Sequence, residues 1–202
     1  MSKKFKLGVV GDPIEHSLSP FIHSRFSRNE NINLNYLAYR VNNDELDIFI
    51  KEFFQDKEAR GLNITLPHKK RAALLEGKIS QEARYINAVN TIVKENDKLL
   101  LFSTDGAGFI NDIENKKFNL KNKNILIIGA GAAVESILYR VATAKPMKIT
   151  VINRTIEKAD RLIRKFGNMT KIRSEVEIDK PFDLVINGSS AGLTGNFFPE
   201  EN

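Results

Sequence analysis

A chain of 202 residues, 42% hydrophobic and 28% charged, is long enough to bury one large core or two small ones, which excludes a disordered tail or a stapled mini-protein. It contains no cysteine, so disulfides and thiolate metal sites are excluded and a reducing compartment suits it. The net charge of +6 comes from dispersed lysines and arginines with no aromatic platform for stacking bases, which points to small anionic ligands and away from nucleic acid.

Met1-Ser2-Lys3-Lys4 leads straight into a strand without an apolar signal region, and no apolar run approaches the ~20 residues of a membrane span. The expectation is a soluble, cytoplasmic protein that binds no membrane; a homodimer is left open. In chain order, Phe5–Val10 is an apolar strand ending at the turn Gly11-Asp12-Pro13. Ser19-Pro20 predicts a helix start with Ser19 as cap, and Phe21, Ile22 and Phe26 on one face. Tyr36–Val41 is a strand, and Asp44–Phe54 a helix whose apolar set is Leu46, Ile48, Phe49, Ile50 and Phe53. Gly61–Thr65 is the next strand, and Pro67 opens a helix through about Leu75. Val89–Val93 and Leu99–Phe102 pair as a hairpin across Glu95-Asn96-Asp97-Lys98. Alternation of this kind predicts an α/β domain with a mostly parallel sheet covered on both faces.

A second α/β half follows a boundary near residues 103–122, with a connecting helix over Gly106–Lys116, so the expected division is 1–105 and 106–202. Ile125–Ile128, Ile149–Ile152 and Leu184–Ile186 are short buried-type strands, Ile172 supplies another, and helices lie near Ala133–Ala144 and Ile156–Phe166. Between the first strand and helix stand Gly129-Ala130-Gly131-Ala132-Ala133. Gly129 permits the tight turn of a Rossmann-like βαβ unit, and Gly131 lets the backbone approach a pyrophosphate at the helix N-terminus. The second strand ends in Asn153-Arg154 where NAD-binding chains usually carry an acid; a guanidinium there suits the 2′-phosphate of NADP. Ligands of such sheets bind at the carboxyl ends of the strands, which singles out Gly11–Pro20, Thr65–Lys69, Thr104–Gly106 and Asn187–Gly192.

Those segments read, in order, His16-Ser17-Leu18-Ser19-Pro20, Asn63-Ile64-Thr65-Leu66-Pro67-His68-Lys69, Ala88-Val89-Asn90-Thr91, Thr104-Asp105-Gly106, Gly129-Ala130-Gly131, Asn153-Arg154-Thr155 and Asn187-Gly188-Ser189-Ser190-Ala191-Gly192-Leu193. Together they resemble the shikimate dehydrogenase family over essentially the whole chain. The resemblance implies a substrate-binding domain followed by an NADP-binding domain, and reduction of 3-dehydroshikimate by NADPH. It implies that Ser17 and Ser19 hold the substrate carboxylate, that Thr65, Asn90 and Asp105 contact ring hydroxyls, and that Lys69 and Asp105 form the catalytic pair. Lys69 would also touch substrate, and Asn153, Arg154, Thr155 and Lys158 would surround the 2′-phosphate. The chemistry is coherent: hydride delivery to a ketone develops negative charge on oxygen, which a positioned ammonium stabilises and protonates. No metal is needed, and the three histidines have no ligand-like spacing.

Plainer readings stand beside these. Lys69 lies in the basic run His68-Lys69-Lys70-Arg71, which alone reads as a solvated helix start; Asp105, Ser17 and Ser19 are good cap or turn residues. His16 and His23 read as structural, Asn90 as a strand-end residue, and Arg154 and Lys158 as the polar face of a helix. The chain also departs from the family pattern. Ala132 stands in place of a third glycine, Ser103 in place of an asparagine, and Glu135 places an acid in the first turn of the helix that should face phosphates. Relatives continue past Leu193 into segments that contact nicotinamide and substrate, whereas this sequence stops at Asn202. The expectation is therefore an incomplete nucleotide domain with an unpaired edge or exposed apolar surface. The alternatives are an inactive binding fragment, or a dehydrogenase of quinate using NAD.

Overall fold

The structure is a computed structural model in which residues 4–174 and 181–189 are described. The chain forms two compact units, Met1–Thr104 and Asp105–Asn202.

The first unit contains β1 (Phe5–Gly11), α1 (Ser19–Asn29), β2 (Leu34–Arg40), a 3-10 turn (Asn43–Glu45) running into α2 (Leu46–Phe53), β3 (Ala59–Ile64), α3 (Lys69–Ala72), β4 (Lys78–Ile79), α4 (Gln81–Ile86), β5 (Thr91–Glu95) and β6 (Lys98–Phe102). Its sheet has the order β2-β1-β3-β5-β6-β4. The β1–β2, β1–β3 and β4–β6 pairs are parallel, whereas β5 runs antiparallel to both β3 and β6. Register places Asn63 opposite Thr91 and Thr91 opposite Phe102. The amino end of β5 thereby joins the carboxyl ends of β1, β3 and β6 on one rim. The hairpin turn is Asn96-Asp97, both left-handed (φ 47° and 60°), a conformation that twists with the strands and that Asn and Asp tolerate. Val10, Leu46, Ile50, Phe53, Ile64 and Ile92 are buried in one core, each worth about 1.5–3 kcal/mol relative to exposure. In α2 the buried residues are Leu46, Ile50 and Phe53, and Ile48 faces solvent.

Several local expectations are corrected. Ser19 is the first residue of α1 and not its cap; the hydroxyl of the preceding Ser17 accepts the Ser19 N–H at 3.3 Å. Phe21, Ile22 and Phe26 do share a helix with no buried residue, each exposed by 42–58%. The helix after Pro67 is a single turn. Beyond Ala72 the backbone bonds shorten to i+3 spacing (Ala73 to Lys70, Leu74 to Arg71), which tightens the chain away from an α-helix. Unforeseen was α4, which Ser80 starts by accepting the Ala83 N–H at 3.2 Å and Asn87 ends in a left-handed turn.

The second unit contains α5 (Asp105–Asn115), β7 (Asn124–Ile128), α6 (Ala132–Thr143), β8 (Lys148–Ile152), α7 (Ile156–Phe166), β9 (Ile172–Ser174) and β10 (Leu184–Asn187). Four parallel strands lie in the order β10-β7-β8-β9. Ile125, Ile127, Ile149 and Val151 are buried, as are Val134, Leu138 and Val141 of α6 and Ala159, Leu162 and Phe166 of α7. The chain winds outward through β8 and β9, then returns to the other side of β7. This reversal opens a crevice at the carboxyl ends of β7 and β10, the usual ligand position in a doubly wound sheet. Among the described residues β10 is an edge strand of this sheet, with Val185 54% exposed.

Candidate functional site

The rim of the first unit gathers residues from five segments into one hydrogen-bond network. Asn90 is buried just before β5, and its side-chain oxygen faces three donors: the Thr91 hydroxyl at 2.9 Å, the Thr104 N–H at 3.0 Å and the Thr104 hydroxyl at 3.1 Å. The two threonine hydroxyls are also 3.3 Å apart. An amide oxygen has two lone pairs, so these donors saturate it. The Asn63 amide reaches Thr91 at 3.4 Å and its oxygen accepts from the Tyr36 hydroxyl at 2.8 Å. Tyr36 in turn bonds Ser19. Its ring stacks on His23 at 4.1 Å with an interplanar angle of 6°. Burial pushes the Tyr36 phenol up to about 12, the Ser19 bond acting in the opposite sense. Burial also holds the His23 imidazole below its usual value.

The loop carrying Ser17 and Ser19 is anchored at the end of β2. Arg40 donates to Asp12 at 2.8 Å and to Glu15 at 3.0 Å, and Ser17 N–H closes a turn on the Ile14 carbonyl at 3.0 Å. Thr65 is fixed by its N–H on the Val10 carbonyl at 2.9 Å. Lys69 is half-buried at the start of α3, and its carbonyl accepts the Val89 N–H at 2.8 Å. The network therefore joins Ser19 and Asn90 through Tyr36, Asn63 and Thr91, none of which the sequence reading gave a role. Their signal was faint: Asn63 and Thr91 stand at the ends of two quoted motifs without a role of their own, and Tyr36 reads as an ordinary strand residue. Ser103, next to Thr104, is buried. Asp105 opens α5 as a half-buried residue of the second unit.

In the second unit the turn after β7 is built by two glycines. Gly129 has φ +104°, and a Cβ there would lie 2.9 Å from backbone atoms of Gly188 and Ser189. Its N–H bonds the Ile152 carbonyl at 2.7 Å, and Gly188 N–H bonds the Ile128 carbonyl at 2.8 Å, so the turn is stitched to both neighbouring strands. Gly131 starts α6 in extended backbone, and a Cβ at Gly131 would meet nothing within 4 Å. Ala132 and Ala133 are exposed in the first turn, whereas Ala130 is buried. The backbone N–H groups of this turn and the helix dipole favour an anion. The expected repulsion by Glu135 is corrected by its partner: Lys165 of α7 donates to its carboxylate at 2.7 Å, with the Glu135 side chain 13% exposed. At the end of β8, Asn153 donates to the Thr155 carbonyl at 2.7 Å, and Arg154, Thr155 and Lys158 are exposed. An open glycine turn with two exposed cations beside it fits a dinucleotide with an extra phosphate. Ser189 is folded back on Asn187, its hydroxyl 2.7 Å from the side-chain oxygen; Ser190, Ala191, Gly192 and Leu193 lie outside the described residues.

Comparison with known proteins finds matches in both units. Residues 9–92 match the family model for the shikimate dehydrogenase substrate binding domain, and residues 112–193 match that for shikimate / quinate 5-dehydrogenase. A shikimate dehydrogenase (NADP(+)) of Legionella pneumophila is 39% identical over 198 residues, spanning 97% of this chain and 74% of the relative. The crystal structure of shikimate dehydrogenase from Aquifex aeolicus superposes with a TM-score of 0.85 at 32% identity, covering 100% of this chain and 75% of that one. The Thermus thermophilus enzyme, solved in complex with NADP(H) and shikimate, gives 0.83 at 30% identity, with 94% and 70% covered.

Proposed function

The chain belongs to the shikimate dehydrogenase family, and from that premise we propose that it reduces 3-dehydroshikimate to shikimate with Lys69 and Asp105 as the catalytic pair. It is an NADP-dependent oxidoreductase acting on a CH–OH group. One observation supports this reading above others: a single network on one sheet rim orients Ser19 and Asn90, two of the residues assigned to the substrate.

Bound NADPH supplies the hydride. The residues of this chain bind, orient and move the proton. Ser17 donates its hydroxyl to the substrate carboxylate and Ser19 turns its single hydroxyl hydrogen from Tyr36 to the same group, while Thr65 and Asn90 donate to its ring hydroxyls. Lys69 holds a proton at Nζ and delivers it to the carbonyl oxygen as negative charge develops there. Asp105 is the carboxylate of the pair, accepting from a substrate hydroxyl. Gly129, Ala130, Gly131, Ala132 and Ala133 receive the pyrophosphate, and Asn153, Arg154, Thr155 and Lys158 receive the 2′-phosphate.

The substrate on this reading is a small molecule and not a nucleic acid, and the site of action is the cytoplasm. Among the described residues no helix is long and apolar enough to cross a membrane. The test follows NADPH absorbance with 3-dehydroshikimate, with quinate and NAD as the competing pair in the oxidative direction. Lys69→Ala should lower kcat by about 10²–10⁴-fold, the usual worth of a general acid, while NADPH binding measured by fluorescence stays nearly intact. Wild-type turnover by Lys69→Ala would overturn the assignment of the proton donor; absence of any turnover by folded wild-type chain would overturn the activity.

A further inference from the structure

His68 has no solvent exposure, and both of its ring nitrogens are engaged. Nε2 lies 2.8 Å from the carbonyl oxygen of Val41, and Nδ1 lies 3.3 Å from the side-chain oxygen of Asn43. A carbonyl can only accept, so Nε2 carries a hydrogen and the tautomer is fixed. An Nδ1 that accepts would call for the N–H end of the Asn43 carboxamide, whereas Oδ1 faces it at 3.3 Å, so the shorter Val41 bond is the firm end of the contact. The imidazole is thus a two-ended staple, holding the turn before α3 against the junction of β2 and α2.

The staple acts on the residue that follows it in the chain. The His68 N–H bonds the Thr65 carbonyl at 2.9 Å, the His68 carbonyl accepts the Ala72 N–H at 2.8 Å, and the Lys69 carbonyl accepts the Val89 N–H at 2.8 Å. The main chain at Lys69 is consequently pinned through α3, through the entrance to β5 and, by way of the imidazole, through the β2–α2 junction. A lysine has four side-chain torsions, and its ammonium lands where it is needed only if the backbone beneath it is fixed. With both nitrogens engaged and no exposure, His68 is not itself a proton donor to substrate.

We propose that His68 is a positioning residue for the proton donor: its ring holds the α3 start in the orientation from which Lys69 delivers its proton. The proposal rests on the reading of Lys69 given above. Three substitutions dissect it. His68→Gln places an amide near Nε2 and keeps the Val41 bond, His68→Asn places one near Nδ1 and keeps the Asn43 contact, and His68→Leu fills the volume and keeps neither.

The expected result is that His68→Leu lowers kcat by roughly 10–100-fold, the scale of a displacement of about 1 Å at a reacting group. The KM for 3-dehydroshikimate and the Kd for NADPH should both stay within about twofold. His68→Gln should restore kcat to within about threefold of wild type, because the shorter, buried bond is retained. The double variant Lys69→Ala/His68→Leu should be no slower than Lys69→Ala alone, since His68 acts only through Lys69. Wild-type kcat in folded His68→Leu, or slowing of the double variant below Lys69→Ala, would overturn the proposal while leaving Lys69 as donor. Full activity of Lys69→Ala would instead overturn the reading beneath it. Should His68→Leu not fold, Asn43→Ala removes only the outer, exposed end of the staple; a kcat lowered about threefold with unchanged KM supports the proposal, and an unchanged kcat overturns it.

Discussion

The two units solve recognition in opposite ways. On the rim of the first, side chains are held by other side chains: Ser19 by Tyr36, Tyr36 by Asn63, Asn63 by Thr91, and Thr91 by Asn90. At the turn of the second, on the reading proposed above, the main chain itself would be the receptor, shaped by Gly129 and Gly131, with exposed Arg154 and Lys158 supplying charge. The first arrangement draws on residues 19 to 104 and must be assembled by the whole sheet. The second is nearly contained in one βαβ unit. A network of buried hydrogen bonds discriminates among hydroxyl patterns, because each mismatch strands a polar group. A glycine turn and a cationic edge discriminate little beyond the number and place of phosphates, which is all that a shared cofactor requires.

If the cofactor site is a matter of backbone shape, its glycines should separate by what lies around them. Gly129→Ala carries the largest expected effect. Left-handed strain and a Cβ 2.9 Å from three backbone atoms that cannot swing aside should together cost on the order of 2–4 kcal/mol. Denaturant unfolding reads that loss directly, and NADPH affinity should fall with it. Gly131→Ala, whose Cβ enters open space, should leave stability unchanged and weaken only NADPH. Equal destabilisation by both would mean that the turn is structural throughout and not shaped for a ligand.

Arg154→Ala comes next. Loss of a charge-assisted contact to phosphate should weaken NADPH by about 10–100-fold and NADH by less than about twofold. Because Arg154 is exposed, added salt should narrow the difference. Equal weakening of both dinucleotides would remove its role at the 2′-phosphate and leave the second unit without its discriminating charge.

The same contrast explains what could be read from the residues. In the second unit a contiguous pattern carries the information: α7 spans Ile156–Phe166 as expected, because Ala159, Leu162 and Phe166 mark its buried face at helical spacing. In the first unit the informative contacts are remote. His68 looked like one member of a basic run, since its partners Val41 and Asn43 lie 27 and 25 residues away. Ser19 was expected to cap α1, yet it is the first residue of the helix: Leu18 takes the cap position without a side-chain cap bond, and the Ser17 hydroxyl accepts the Ser19 N–H. The β5–β6 hairpin was legible, but the antiparallel pairing of β5 with β3 and the existence of α4 depend on which strands meet, which no local period encodes. Glu135 was expected to trouble the phosphates; only Lys165, thirty residues on, reveals why it need not.

The smallest expected effect probes the first unit through pH. Tyr36 is held up to about 12 chiefly by burial, against about 10 in an unfolded chain. Below about pH 10 both states keep the proton and nothing is lost. Above it the unfolded chain releases the proton while the folded one retains it, so the folded state binds more protons and stability falls as pH rises toward 12. Tyr36→Phe should therefore flatten that part of the alkaline unfolding profile. At neutral pH it leaves Asn63 short of a donor, for about 1 kcal/mol. If the network orients Ser19 as its bonds indicate, the same variant raises the KM for 3-dehydroshikimate by about two- to fivefold and leaves NADPH affinity untouched. A change in NADPH affinity instead would dissolve the contrast between a side-chain site and a backbone site, since a phenol on the rim of one unit would then be felt at the glycine turn of the other.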